Sequence, residues 1–452
     1  MTTISKAGRI GLVLLSVLLC WMTFLPMGFW WLAPIAWTPF LLAVNRGSFG
    51  SGVRLGLLFG VGLFAAVLTW LWNIFGAASI ALWVMLALFS GVFGGIYAML
   101  SSRYPDKWWL PVLAACLWTG IEWYRSEAFV LSFSWATPGM GIGPTCLSSW
   151  LGVNGMSWLI ILGGALLVSS RGRFRLAGGC VSVLALGLGF AFHFSKPSDP
   201  ENPLTVRLVQ HEDGIMGDFI EHSADASADL IIWPEYALPF GMNDDSEGVK
   251  RIQDEVIKGS GKIVVLGTKT DVIGGYYNTA MTLDANSVLG RFFKNHTVHL
   301  FSDGIAGEEA LPVETPFGKL GTPICFDCDH EDVVRKMAAT GALAFAVPSM
   351  DPEPWGSRQH NLHAELFQHR AAENGRWMAV ASSSGMTQII DDRGRRVGSI
   401  PLMDPGVLDG VIGRRDDKTV YTRVGWLFGP ACGLGAFVWI VGIIYVRLSR
   451  VE

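Results

Sequence analysis

The sequence predicts a polytopic α-helical membrane domain of about eight transmembrane helices, with an α/β domain inserted before the last of them. Three observations predict it. The 452 residues are 51% hydrophobic and only 16% charged, where soluble chains carry about 25% charged residues. Eight apolar runs approach the length of about 20 residues that a helix needs to cross a bilayer. Between the seventh and the eighth run the pattern changes to short β-branched segments separated by helical ones, the alternation of an α/β domain.

The runs lie at about 10–25, 29–45, 55–75, 80–101, 108–124, 149–169, 177–194 and 424–446. The second contains Pro34 and Pro39, so it is expected to kink or to dip only part way into the bilayer. The expected domains are 1–199, with seven transmembrane helices, then 204–410, then the final helix at 424–447. Nineteen Trp and 26 Phe suit a lipid boundary. The Gly52, Gly56, Gly60 row and the Gly91, Gly95 pair have the four-residue spacing of close helix packing.

Loop charge fixes an orientation. With Lys6 and Arg9 on the cytoplasmic side, Arg46 and Arg54, Arg103 and Lys107, the Arg171, Arg173, Arg175 cluster, and Arg447 and Arg450 fall there too. The alternate loops 25–29 and 75–80 carry no Lys or Arg, and 125–148 carries only Arg125. Seven crossings then deliver the inserted domain to the extracytoplasmic face. The first run has the basic start of a signal peptide, yet further spans follow at once, which favours retention. Cys20 is preceded by Leu19 rather than by a small residue, so it reads as helix core. Glu122 and Arg125, three residues apart, read as a helix-end pair.

Residues 195–203 form a polar, Pro-rich linker. Strands are predicted after it at 204–210, 228–233, 262–268, 276–283, 287–294, 319–324, 342–348 and 377–382, with a hairpin around Asp392-Arg393-Gly394.

Three residues in this domain carry chemistry. Cys325 follows the strand Lys-Leu-Gly-Thr-Pro-Ile and precedes an acidic helix start, where unpaired backbone N–H groups and a helix dipole would favour thiolate. Glu235 ends the apolar run Leu-Ile-Ile-Trp-Pro-Glu between two prolines; a carboxyl buried beside a thiol can serve as general base and then as general acid. Lys294 ends Leu-Gly-Arg-Phe-Phe-Lys, where an ammonium, assisted by the Phe326 N–H, could stabilise an oxyanion. All three stand at the carboxyl ends of predicted strands, where open α/β sheets hold ligands.

The segments Ile-Trp-Pro-Glu235, Tyr277-Asn278-Thr-Ala, Phe-Lys294-Asn-His, Ile-Cys325-Phe-Asp and Arg370-Ala-Ala-Glu373-Asn-Gly together resemble the nitrilase, or carbon-nitrogen hydrolase, superfamily. The spans, the position of the inserted domain, Glu122-Trp123 with Arg125, and Phe133-Ser134-Trp135 resemble the apolipoprotein N-acyltransferase family across nearly the whole chain. The resemblance implies an αββα sandwich and a catalytic triad of Glu235 as base, Lys294 as oxyanion partner and Cys325 as the thiol that takes an acyl chain from a phospholipid. The acceptor it implies is the α-amino group of a diacylated lipoprotein cysteine, in a bacterial inner membrane and with no cofactor or metal. It also implies that Tyr236, Asp303, Phe326, Asp327, Ser349 and Trp355 surround the substrate. Three stretches depart from the family pattern: Asn-His-Thr-Val-His-Leu-Phe-Ser-Asp after Lys294, Phe326-Asp327 after the thiol, and Ser349-Met350-Asp351 with Trp355.

Other readings start from the same residues. Cys325 and Cys328 form a Cys-x-x-Cys pair that could be a redox couple, and Asp329, His330 and Glu331 half a zinc site. A membrane-tethered amidase could use the same base, cation and thiol. A scaffold or transporter could carry an inactive domain, although Glu235, Lys294 and Cys325 are all present. A net charge of -4 excludes a broad nucleic-acid-binding surface.

Overall fold

A computed structural model of the chain describes residues 4–26, 28–243 and 246–449. They form two compact units, Met1–Ser195 with Val424–Glu452, and Lys196–Arg423.

In the first unit, six helical segments among the described residues are long and apolar enough to cross a membrane: Lys6–Thr23, Phe49–Val67, Leu71–Arg103, Ser148–Leu167, Gly172–Phe194 and Gly425–Val446. The other two apolar runs are helical but shorter. Phe29–Val44 is split into Phe29–Leu32, Ala33–Ala36 and Thr38–Val44. Pro34 and Pro39 each stand in the first turn of a new piece, where a missing N–H costs nothing. Leu110–Trp123 has 14 residues, about 21 Å at 1.5 Å per residue, and continues as a π turn, Tyr124–Ala128. The third run begins earlier than its hydropathy suggests, because Ser48 caps the helix by accepting from the Ser51 N–H. The side chain of Arg447, and Arg450, lie outside the described residues.

Side-chain bonds gather alternate ends of these helices. Arg9 donates to the carbonyls of Ala43 and Asn45, Arg46 pairs with Asp106 at 2.6 Å, and Asp106 accepts from the Ser170 N–H at 2.9 Å. The start of the first helix and the connections after the second, fourth and sixth apolar runs therefore share one end of the unit. At the other end, Trp70 packs on Trp135 with centroids 4.9 Å apart. His193 stacks on Trp30 at 4.2 Å and lies 3.0 Å from the Ile142 carbonyl. The Gly52, Gly56, Gly60 row closes on backbone as its spacing predicts: an added Cβ would lie 2.2 Å from the Gly94 oxygen, 2.3 Å from that of Ser90 and 2.6 Å from the Ala87 Cα. The facing row is thus Gly94, Ser90 and Ala87, while Gly91 and Gly95 receive the side chains of Leu57 and Val53.

The second unit is a four-layer αββα sandwich. Its strands are β1 Leu204–Gln210, β2 Leu230–Ile232, β3 Ile263–Val272, β4 Gly275–Leu283, β5 Val288–Phe293, β6 Val313–Thr315, β7 Gly318–Gly321, β8 Ala344–Ser349, β9 Met378–Ser382, β10 Gln388–Ile390, β11 Arg396–Ser399 and β12 Gly406–Ile412. They form two six-stranded sheets, ordered β12-β1-β2-β3-β4-β5 and β11-β10-β9-β8-β7-β6. Period-2 alternation assigns each face. Val206, Leu208, Ile232 and Val265 meet Ala344, Ala346, Ala379 and Ala381 between the sheets. The opposite faces of the same strands pack under helices: Ile231, Trp233 and Val264 against Phe219 and Val249, and Phe345, Val347 and Val380 against Val333, Met337 and Phe367. Alanine on one inner face lets the two sheets approach closely. Among the predicted strands all were found, but β6 and β12 were not predicted: β6 is only three residues long, and β12 has an exposed, Gly-interrupted face.

Candidate active site

β2 and β3 are parallel, and two antiparallel steps make β5 run with them. The carboxyl ends of β2 and β5 therefore share one edge, which puts Glu235 and Lys294 side by side. β7, β8 and β9 are likewise parallel, and the Glu235 N–H donates to the Ser349 carbonyl at 3.3 Å, so the carboxyl ends of the second sheet meet the same edge and bring Cys325 to it.

The chain is bent hard at two of these points. Tyr236 has φ +54° and Cys325 φ +46°, left-handed conformations that cost a non-glycine residue of order 1–3 kcal/mol each. Gly267 in β3 makes the first bend possible: a Cβ there would stand 2.4 Å from the Glu235 Cα and 2.4 Å from the Pro234 oxygen.

Lys294 Nζ donates to Glu235 Oε1 at 2.8 Å and to Asp303 Oδ2 at 2.7 Å, with all three side chains buried. Asn278 Nδ2 donates to Glu235 Oε1 at 2.6 Å and to Asp303 Oδ1 at 2.9 Å. Asp303 also accepts from the Tyr236 hydroxyl at 2.9 Å and the Val298 N–H at 2.9 Å. The Cys325 thiol faces the Met350 carbonyl at 3.6 Å.

Two carboxylates sharing one ammonium are pushed apart in acidity. Burial raises Glu235, and the neighbouring Asp303 charge adds to that against the pull of Lys294. Burial also opposes ionisation of Asp303, yet Lys294, the Val298 N–H and Asn278 outweigh it and hold its carboxyl below the usual range. Lys294 is buried, but its two carboxylates keep it firmly charged. Asp303 is thus the standing counter-ion of the lysine, and Glu235 the carboxyl able to exchange a proton.

The thiol environment differs from the sequence expectation. Cys325 opens a single 3-10 turn, Cys325–Cys328, and the next α-helix begins only at Asp332, so no helix dipole is aimed at the sulfur. Burial first, then the Glu235 charge, push the thiol up, against Lys294. It rests as a thiol and needs a base to react. Cys328 is a free thiol, fully buried among Val333, Phe367 and Ala371. Among the described residues no group of His, Cys, Asp and Glu is arranged to hold a metal ion.

The remaining predicted residues divide. Tyr236 and Asp303 belong to the hydrogen-bonded cluster. Half-buried Phe326 packs edge-on to His299 and His330, at 5.7 and 5.1 Å. Trp355 packs on Phe301 at 5.6 Å. Ser349 contributes its carbonyl, and its hydroxyl is buried. Asp327 is fully buried, and its oxygens accept from the N–H groups of Asn295, His296 and Ile324 at 2.8–3.0 Å. It clamps the Lys294 loop to the Cys325 turn. Asn278, in its Tyr-Asn-Thr-Ala segment, has a role that the sequence did not predict: its amide, inside β4 opposite Lys269, bridges Glu235 and Asp303.

Residues 16–166 match the family model of the apolipoprotein N-acyltransferase N-terminal domain, and residues 214–415 that of the carbon-nitrogen hydrolases. The two matches, in this order, cover most of the chain. The chain pairs an apolipoprotein N-acyltransferase N-terminal domain with a carbon-nitrogen hydrolase domain. It is 26% identical to an apolipoprotein N-acyltransferase of Geobacter metallireducens, over 92% of this chain and 92% of that one. To the enzyme of that name from Nitrosomonas europaea it is also 26% identical, over 83% and 85%. A crystal structure of a carbon-nitrogen hydrolase from Helicobacter pylori is 18% identical, with a TM-score of 0.39, covering 47% of this chain and 89% of that one. Glu122 and Arg125 each make a further contact at this helix end: Trp118 Nε1 donates to Glu122 at 2.9 Å, and Arg125 donates to the Trp135 carbonyl at 2.9 Å. Arg125 thereby holds the Phe133-Ser134-Trp135 segment to the helix end.

Proposed function

We propose that this protein transfers a fatty acyl group from a phospholipid to the N-terminal amino group of a lipoprotein cysteine, through a thioester on Cys325. Glu235 takes the thiol proton as sulfur attacks the ester carbonyl, and the oxyanion forms beside the Lys294 ammonium. The intermediate collapses by expelling the lysophospholipid alcohol, which receives the proton back from Glu235. The acceptor amine then attacks the thioester, Glu235 takes its proton, and collapse returns the thiol and releases the amide.

The observation that carries the lipid part of this reading is the loop that supplies Asp303. Leu300, Phe301 and Ile305 stand 65%, 43% and 40% exposed on it, and Trp355 packs on Phe301. An exposed apolar lip beside a polar site suits an acyl chain, whereas a small soluble amide has no use for it. The charge pattern of the loops supports an extracytoplasmic position for the residues after 195, with eight crossings in a bacterial inner membrane.

Mass spectrometry of the full chain after exposure to phospholipid vesicles tests the reading. A fatty-acyl adduct on Cys325, absent from Cys325→Ala, is expected. Amine release from small amides, with no adduct formed from phospholipid, would favour the tethered amidase.

A further inference from the structure

The helix Ser357–Asn374 carries a buried histidine for which the chemistry above has no use. His363 is 2% exposed, and its two ring nitrogens face two different carboxylates. Nδ1 lies 2.7 Å from Asp351 Oδ1 and Nε2 lies 3.1 Å from Asp329 Oδ1, both of them buried. A neutral imidazole has one N–H: with Nδ1 hydrogen-bonded to Asp351, a second proton on Nε2 gives the ring the charge that pairs it with an ionised Asp329. The carboxylates belong to the two segments that meet at the thiol. Asp329 closes the 3-10 turn that Cys325 opens. Asp351 follows Met350, whose carbonyl faces the Cys325 sulfur, and Ser349, whose carbonyl accepts the Glu235 N–H. Asp351 is held further by Gln359 Nε2 at 2.7 Å and the Ser382 hydroxyl at 3.1 Å, so the histidine ties the nucleophile turn to a rigid anchor.

We propose that His363 is a positioning residue: as a permanent imidazolium bridging Asp329 and Asp351, it fixes Cys325 against the Met350 carbonyl and offsets the Asp351 charge that faces the thiol. The proposal rests on Cys325 as the nucleophile and deepens that reading. The charged groups facing the ring are Asp329 and Asp351, with His360 acting on Asp351 from one turn earlier in the helix. Those facing the sulfur are Glu235, Lys294 and Asp351. Burial alone would hold the ring neutral, but the two carboxylates carry it up to about 10, so the bridge persists across the physiological range.

The test uses the full chain in detergent with two partial isosteres. His363→Asn retains a donor toward Asp351, and His363→Gln one toward Asp329; neither bridges. Acyl-adduct formation on Cys325 is expected to slow at least about tenfold in both, with half-saturating phospholipid within about twofold of wild type, since a misplaced nucleophile costs rate rather than binding. Alkylation of Cys325 by iodoacetamide, which needs no lipid, is expected to show its pH midpoint raised by about 1 unit, because the Asp351 charge loses its compensation. Wild-type rates and midpoint in both variants would overturn the proposal, as would a loss of rate with an unmoved midpoint, the mark of a packing role. If neither variant survives purification, the histidine ¹⁵N resonances of the wild-type chain decide: a doubly protonated ring at pH 8 is expected, and a ring titrating near the ordinary histidine value overturns the bridge. A chain that forms no adduct from phospholipid yet shows the shifted alkylation midpoint would refute acyl transfer and leave His363 in place.

Discussion

At Lys294 one ammonium faces two carboxylates, and the difference between them decides what each can do. Asp303 receives Lys294, the Val298 N–H, Asn278 and the Tyr236 hydroxyl, and stays ionised; Glu235 receives fewer donors in a drier place and is raised. Activity should therefore fall as pH drops through the raised Glu235 value, because the base is then protonated. Asp303→Asn removes a negative neighbour from Glu235 and makes it more acidic, so the acid limb of the adduct-formation profile is expected to move to lower pH. A limb that stays in place would assign it to another group. Glu235→Gln is expected to lower the rate at least about 100-fold and to abolish the limb, the usual cost of removing a general base. The places of Glu235, Lys294 and Cys325 in the fold were legible in the sequence because each ends an apolar strand beside a distinctive neighbour. The acidity of Cys325 was not legible: it depends on where the next helix begins, and the intervening 3-10 turn moves that start seven residues beyond the thiol.

Strands and turns set how precisely those groups meet. β3 passes so close to the Glu235 bend that Gly267 leaves no space for a methyl group, and the atoms it would meet are backbone. Gly267→Ala is expected to leave the chain folded but displace the bend, with a loss of up to about 100-fold in adduct formation for a shift near 1 Å. An unchanged rate would show that the bend has freedom the geometry denies. The His363 bridge spans a helix and the ends of two segments, and its effect on stability has a definite sign. A histidine raised from 6.5 to about 10 stabilises the fold fully below 6.5, and the contribution is lost as pH rises through about 10. The Asp351 carboxyl, held at about 2, contributes above its ordinary value of 3.8 and loses that contribution as pH falls through about 2. Thermal scans of the full chain should thus show wild type losing its advantage over His363→Gln between pH 7 and pH 10, and an advantage that grows across that interval would contradict the bridge. Elements with strong alternation, such as β1 and β3, could be read directly from the chain. β6 and β12 could not, since three residues, or a Gly-broken exposed face, give no periodic signal.

Across the whole chain, charge pattern and contacts within the membrane unit give the same parity. Arg9, Asn45, Asp106 and Ser170 are joined by hydrogen bonds at one end, so each pair of successive apolar runs between them leaves and returns. That includes Phe29–Val44 and Leu110–Trp123, too short for hydropathy and length alone to count as crossings. His193, near the last turn of the seventh run, contacts Trp30 and Ile142 instead, at the end where the loops 25–29 and 75–80 carry no Lys or Arg. In the topology proposed above, an odd number of traverses precedes residue 195, and the positive-inside rule then puts the following residues on the extracytoplasmic side. The native cysteines of the second unit are buried and cannot report on this, but Ile273 lies fully exposed at the β3–β4 turn. In a background with Cys146→Ser and Cys180→Ser, which removes the two exposed thiols, Ile273→Cys should react with a membrane-impermeant maleimide on intact spheroplasts. Arg173→Cys, exposed in the first turn of Gly172–Phe194, should react only after lysis. Labelling in the opposite sense would invert the orientation, and labelling of both on intact cells would mean that Gly172–Phe194 does not cross.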